Sequence, residues 1–172
     1  MQRIENIFLV GPMGVGKSTI GKQLAVKVGL EFKDSDLEIQ KRTGVDIPTI
    51  FEFEGEAGFR KREQAILDEL TQQRGVVLST GGGAVLDATS RQHLTARGIV
   101  IYLYCSPEQQ FARTQKDRSR PLLQTENPLA KLQELMAQRD PLYRQVADYI
   151  ISTERRNAAA VTKDIIQQIS ER

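Results

Sequence analysis

Gly11, Gly16, Lys17 and Ser18 stand in the spacing G-x-x-x-x-G-K-S, with Gly14 between them. The residue types point to one chemistry. Glycines let backbone N–H groups converge on an anion and leave room for phosphate oxygens. A helix starting near Lys17 adds its positive N-terminal end. The Lys17 ammonium would reach the β- and γ-phosphates, and the Ser18 hydroxyl would coordinate Mg²⁺. The pattern predicts a nucleoside triphosphate site. The plainer alternative is a glycine-rich turn that only joins a strand to a helix.

Binding a triphosphate leaves the reaction open. A phosphoryl transferase also needs acids for the metal and the acceptor, and cations for the moving charge. Asp34 and Asp36 are the only carboxylates expected at the end of a strand. One could face the metal while the other orients an acceptor hydroxyl or takes its proton; capping the next helix is the competing use. Gly81-Gly82-Gly83 is either a tight strand exit or a place where backbone N–H groups come close to a ligand. Arg60, Arg118, Arg120 and Arg139 are possible forks for a carboxylate or phosphate, and composition does not choose among them. Cys105 ends an apolar run and reads as a structural thiol, and His93 as a surface residue.

These residues need elements to hold them. Ile7 to Val10 reads as a buried strand, followed by a helix with Ile20, Leu24 and Val28 on one face. Short strands are expected at 31–34, 76–79, 99–103 and 149–151, with helices between them. Residues 47–60 give mixed helical signals. Segment 115–128 is polar and basic, with two prolines, and reads as a mobile loop. The next helix, from about Leu129 to Arg139, is expected to break or kink at Pro141. Alternating strands and helices predict an α/β fold with a parallel sheet covered on both faces. Ligands bind at the C-terminal edge of such sheets, where the phosphate loop, the aspartates and the glycines should meet.

Length and charge narrow the class. A chain of 172 residues suits one domain. The net charge of +2 is spread without a basic run, so neither nucleic acid nor a membrane surface is the expected partner. No apolar run approaches the roughly 18 residues of a membrane span. The first strand begins at once, as expected of a chain without a leader peptide. A single cysteine fits a reducing cytoplasm.

Taken together, the motifs resemble the shikimate kinase family over nearly the whole chain. They are Gly11 to Thr19, Asp34-Ser35-Asp36, Phe51 to Arg60 with Glu63, Thr80 to Gly83, Arg120-Pro121-Leu122-Leu123 and Arg139 to Tyr143. The resemblance implies transfer of the ATP γ-phosphoryl group to the 3-hydroxyl of shikimate, a step toward the aromatic amino acids. It implies a three-layer, five-stranded parallel sheet of the nucleoside monophosphate kinase type, in a single kinase domain over 1–172. That domain has a phosphate loop at 11–19, an acceptor region at about 35–63 and a lid at about 115–127.

By the same resemblance, Gly14, Val15, Gly16, Lys17, Ser18 and Thr19 bind ATP, and Arg113 and Asn157 border its adenine. Asp36 holds the acceptor and is the candidate base, while Arg60 and Arg139 clamp the shikimate carboxylate. Gly81, Gly82 and Gly83 donate N–H groups, and Arg120 closes over the phosphates. Phe51 and Phe59 flank the acceptor. One Mg²⁺ sits on Ser18 and Asp34. The expected partners are ATP and shikimate alone, in a monomeric cytoplasmic enzyme. A gluconate-type kinase and a nucleotide-driven regulatory switch are the alternative readings.

Lys17 tests the loop. Lys17→Met removes the charge that follows the γ-phosphoryl group, and turnover is expected to fall at least about a hundredfold. Steady-state kinetics on the folded variant check this; near-parental turnover would rule out the phosphate-loop assignment.

Overall fold

The computed structural model describes residues 5–114 and 121–171. Five strands, β1 (Asn6–Val10), β2 (Glu31–Asp34), β3 (Val76–Ser79), β4 (Gly98–Tyr104) and β5 (Tyr149–Ser152), form one sheet in the order β2-β3-β1-β4-β5. Every pairing is parallel. The helices are α1 (Lys17–Val28), α2 (Ser35–Thr43), α3 (Ile47–Thr71), α4 (Ala88–Arg97), α5 (Pro107–Thr114), α6 (Pro128–Val146) and α7 (Ala158–Ser170).

The central strands β1, β3 and β4 read as continuous apolar runs because both faces of a parallel sheet are covered there. Alternate residues serve the two faces. Phe8, Val10, Leu78, Val100 and Tyr102 pack under α2, α3, α4 and α6, against Ile39, Phe59, Leu67, Leu94 and Tyr143. Ile7, Leu9, Val77, Ile101 and Leu103 pack under α1 and α7, against Leu24, Val161 and Ile165. Among the described residues no helix is long and apolar enough to cross a membrane.

The register brings the motifs together. Leu9 pairs with Ser79 and Asp34 with Ser79, so the exits of β1, β2 and β3 lie side by side at one edge. At the β2 border of the sheet, Glu31 and Lys33 pair at 3.1 Å.

Two elements differ from the sequence-based expectation. Residues 47–71 are helical on both sides of a break at Gly55 (φ 70°, ψ 178°), so the stretch with mixed signals holds a short helix of its own running up to that break. Asp46 caps its start, accepting from Thr49 N at 3.0 Å. Arg62 donates to both carboxylate oxygens of Glu54 across the break, at 2.6 and 2.7 Å. α6 does not stop at Pro141 but runs on to Val146. Proline removes one helical hydrogen bond, at about 3 kcal/mol. Burying Tyr143 and Val146 in the core offsets that at roughly 1.5–3 kcal/mol per side chain.

The turn out of β1 is tightly packed. Gly11 has φ 146°, and a Cβ there would press into the Leu103 carbonyl of β4. Because backbone cannot yield as a side-chain tip can, Gly11→Ala is expected to destabilise the fold by about 1–3 kcal/mol. Urea denaturation measures it; an unchanged midpoint would contradict this packing.

Candidate active site

The site begins where β1 ends. Gly16 precedes α1 without a capping side chain, which leaves the first N–H groups of that helix available to an anion. The Lys17 ammonium bridges the carbonyls of Gly11 and Pro12 at 2.6 and 2.8 Å. Its side chain therefore curls over the loop instead of extending into solvent. Arg113 of α5 donates to the carbonyls of Gly14 and Val15, both at 3.2 Å, and to Thr153 beyond β5 at 3.4 Å. It ties the phosphate loop to the far side of the sheet.

The end of β2 faces this loop. Ser18 Oγ donates to Asp34 Oδ2 at 2.7 Å, and Asp34 Oδ1 accepts from Leu37 N at 3.1 Å. Asp34 thus caps α2 with one oxygen and meets the loop's hydroxyl with the other. Among the described residues no group of three or more His, Cys, Asp or Glu side chains is placed to hold a metal. A hydroxyl with one carboxylate suits a hard cation that takes its other ligands from phosphate and water.

Asp36 lies in the first turn of α2, at the border of two clefts. One cleft is lined by Gly14, Gly16, Lys17, Ser18, Thr19 and Arg113. The other is lined by Phe51, Phe59, Arg60, Glu63, Gly83 and Arg139. Met13, Asp36, Gly81 and Gly82 line both. The glycines are there because side chains already crowd them. A Cβ on Gly81 would stand 2.8 Å from Asp36 Oδ1 and 2.9 Å from Glu63 Oε2. A Cβ on Gly82 would stand 3.4 Å from an Arg139 guanidinium nitrogen, and one on Gly83 would overlap the Arg60 guanidinium. The N–H groups of Gly81, Gly82 and Gly83 make no hydrogen bond within the described residues.

The second cleft concentrates charge in a dry place. Arg60 pairs with Glu63 at 2.9 Å and with Glu56 at 3.3 Å, and stacks on the Phe59 ring at 5.2 Å. Phe51 meets Phe59 at 5.1 Å between ring centroids. Arg139 is only 4% exposed, and its Nε–H finds no partner among the described residues. A buried guanidinium with an unused donor is a standing site for an anion.

Glu63 was quoted in the sequence only as part of a pattern, without a role. It is 2% exposed, and burial pushes its carboxyl above the usual range; Arg60 opposes that rise and Asp36 adds to it. The available signal was its spacing. Glu63 stands three residues after Arg60, on a helix whose next turn, Ile66 and Leu67, is core.

Other expectations fall elsewhere. Asn157 caps α7, accepting from Ala160 N at 2.8 Å. Arg118 and Arg120 lie outside the described residues. The end of the expected lid is described: Pro121–Leu123 form a 3₁₀ turn, Leu123 is buried, and Pro121 and Leu122 line the second cleft. That end is better anchored than its composition suggested. Cys105 is fully buried, and burial pushes its thiol up to about 11, which fits a structural role. His93 lies on α4 beside Asp68 at 3.5 Å and lines neither cleft.

Comparison with known proteins bears on this arrangement. The family model described as "Shikimate kinase" matches residues 13–170. A shikimate kinase of Methylococcus capsulatus is 55% identical over 96% of this chain and 93% of its own length. One of Vibrio parahaemolyticus is 52% identical over 100% of both chains. The solved shikimate kinase of Acinetobacter baumannii in complex with shikimate superposes with a TM-score of 0.96 and 53% identity, covering 98% of this chain and 94% of its own.

The raised carboxyl of Glu63 has a consequence for stability. The folded chain holds this proton more tightly than the unfolded chain does. Ionising Glu63 therefore costs stability as pH rises from its ordinary value of 4.5 toward the raised folded value. Glu63→Gln lacks this loss. The attraction of Arg60 is already contained in that net rise, so what the substitution adds through packing and neutral hydrogen bonding is an offset that does not follow the titration. The stability of the variant relative to the parent is expected to climb as pH increases through that window. Denaturation midpoints at stepped pH check this, and a difference that stays flat or falls would contradict it.

Proposed function

The chain belongs to the shikimate kinase family, and on that premise we propose how its residues carry the γ-phosphoryl group of ATP to the 3-hydroxyl of shikimate. One observation carries the assignment of roles. Asp36 stands where the phosphate-loop cleft and the arginine-lined cleft adjoin. That is where an acceptor oxygen must meet the γ-phosphorus.

The triphosphate lies along the loop, with Gly14 to Thr19 around its phosphates and Arg113 and Asn157 toward the adenine. Ser18 and Asp34 would hold Mg²⁺, which would supply positive charge to neutralise the phosphates. Arg60 and Arg139 grip the acceptor carboxylate, and Glu63 holds the Arg60 fork in register from behind. Gly81, Gly82 and Gly83 offer N–H groups along the same wall. Asp36 accepts the hydrogen bond of the 3-hydroxyl and takes its proton as the oxygen bonds to the γ-phosphorus. The bond from the γ-phosphorus to the bridging oxygen breaks, and that oxygen leaves with ADP. Lys17 stays with the anionic equatorial oxygens throughout. Arg120 remains the guanidinium assigned to close over the phosphates.

The same reading takes residues 1–172 as a single kinase domain and the enzyme as a cytoplasmic monomer. The unpaired, buried Cys105 supports a reducing compartment. Family membership sets aside a gluconate-type kinase and a regulatory switch.

An ADP-release assay over a panel of hydroxy acids tests the acceptor, with shikimate expected to support turnover and gluconate not. Arg60→Ala or Arg139→Ala is expected to raise the KM for shikimate about tenfold or more, the scale of a charge-assisted hydrogen bond. The KM for ATP should move less than about twofold on this reasoning, since neither arginine lines the phosphate-loop cleft. Equal shifts in both constants would remove the clamp.

A further inference from the structure

In the Gly81-Gly82-Gly83 wall, two of the three carbonyls are held by nearby backbone. Gly81 O accepts from Ala84 N at 3.0 Å and Gly83 O from Leu86 N at 3.1 Å. The Gly82 carbonyl is held from 61 residues away, by the Tyr143 hydroxyl at 2.5 Å. That carbonyl shares its peptide plane with the Gly83 N–H, and in a trans peptide the two point in opposite directions. Whatever fixes the carbonyl therefore fixes the N–H. Glycine has the widest backbone freedom of any residue, so this direction would otherwise be the least determined on the wall.

We infer that Tyr143 is a positioning residue for the acceptor's carboxylate: its hydroxyl holds the Gly82 carbonyl and so aims the Gly83 N–H beside Arg60 and Arg139. The inference rests on the acceptor assignment above. Three further observations support it. Tyr143 is 1% exposed, with its ring against Tyr102 at 4.9 Å between centroids, so its hydroxyl cannot wander. Arg139 stands one turn earlier on α6, so one rigid face of one helix carries both the clamp arginine and the residue that sets the donor wall. Burial pushes the Tyr143 hydroxyl up to about 12, against the pull of Arg139, so it keeps its proton and remains a donor at neutral pH. Tyr102 offers a control. It lies in the same ring stack, but its hydroxyl donates to Asp140 at 2.7 Å and anchors α6 without touching the glycines.

Titration calorimetry of shikimate, and of an analogue lacking the carboxylate, tests this on Tyr143→Phe and Tyr102→Phe. Melting temperature and the KM for ATP are measured alongside. Tyr143→Phe keeps the ring and is expected to weaken shikimate about five- to tenfold, the scale of one hydrogen bond. Binding of the analogue and the KM for ATP should stay close to the parent, and the melting temperature should drop by no more than a few degrees, the cost of one carbonyl left without its donor. Tyr102→Phe should bind shikimate as the parent does. Parental shikimate affinity in Tyr143→Phe would overturn the inference while leaving the acceptor assignment standing. So would an equal loss in Tyr102→Phe, or a loss shared by shikimate, analogue and ATP, since each would mean that the ring stack matters only for packing. A parent protein that fails to bind shikimate would overturn the acceptor assignment and this inference together.

Discussion

Arg60, Glu63, Asp36 and Arg139 converge on a stretch of backbone that has no side chains of its own. Charges of opposite sign crowd against Gly81 to Gly83, and all four side chains come from helices on one face of the sheet. Taking such charges out of water is costly unless each finds a partner. Arg60 and Glu63 partly satisfy each other, while Arg139 keeps an unused donor. The cleft thus keeps a guanidinium donor that no group among the described residues takes up. Much of the fold follows from that constraint. α3 must run long enough to deliver Arg60 and Glu63, and α6 must continue past a proline so that Tyr143 can seat behind the glycines.

The donor side is built from backbone more than from side chains. The β1 exit and the start of α1 leave N–H groups unused, and Lys17 is drawn over the loop by two of its carbonyls. Parallel register then does the assembly. Pairing β3 with both β1 and β2 sets the aspartates between the phosphate loop and the glycine wall. No hinge or second sheet is required to bring the donor and acceptor clefts into contact. They adjoin because three neighbouring strands end at the same edge.

The strands were legible in the sequence because a sheet covered on both faces writes itself as uninterrupted Val, Ile and Leu. The phosphate loop was legible because its glycines and lysine have few other uses together. Less legible was what depends on long-range packing. Pro141 reads as a break or kink because local propensity is all a sequence window shows, whereas the burial that carries α6 onward is spread over the whole core. Residues 47–60 give mixed signals because a glycine at positive φ interrupts the helix at 55, and a sequence window does not show where the backbone turns. Glu63 escaped notice because a buried acid looks like any helical glutamate until its neighbours are known. Asp34 was framed as either cap or metal ligand, and its two oxygens turn separately to the α2 backbone and the Ser18 hydroxyl.

The border strand β2 bears on how the protein behaves among its own copies. An open strand edge is a template on which another chain can add a strand, and long flat apolar edges invite it. β2 is four residues long and carries Glu31 and Lys33, which are two residues apart and paired on one face of the strand. A strand this short offers few unpaired backbone groups, and an incoming strand would have to strip water from two charges to reach them. The longest apolar runs lie in β1, β3 and β4, where both edges are already taken. The placement that lets a carboxylate finish β2 beside the phosphate loop thus also gives the sheet a self-limiting border on that side.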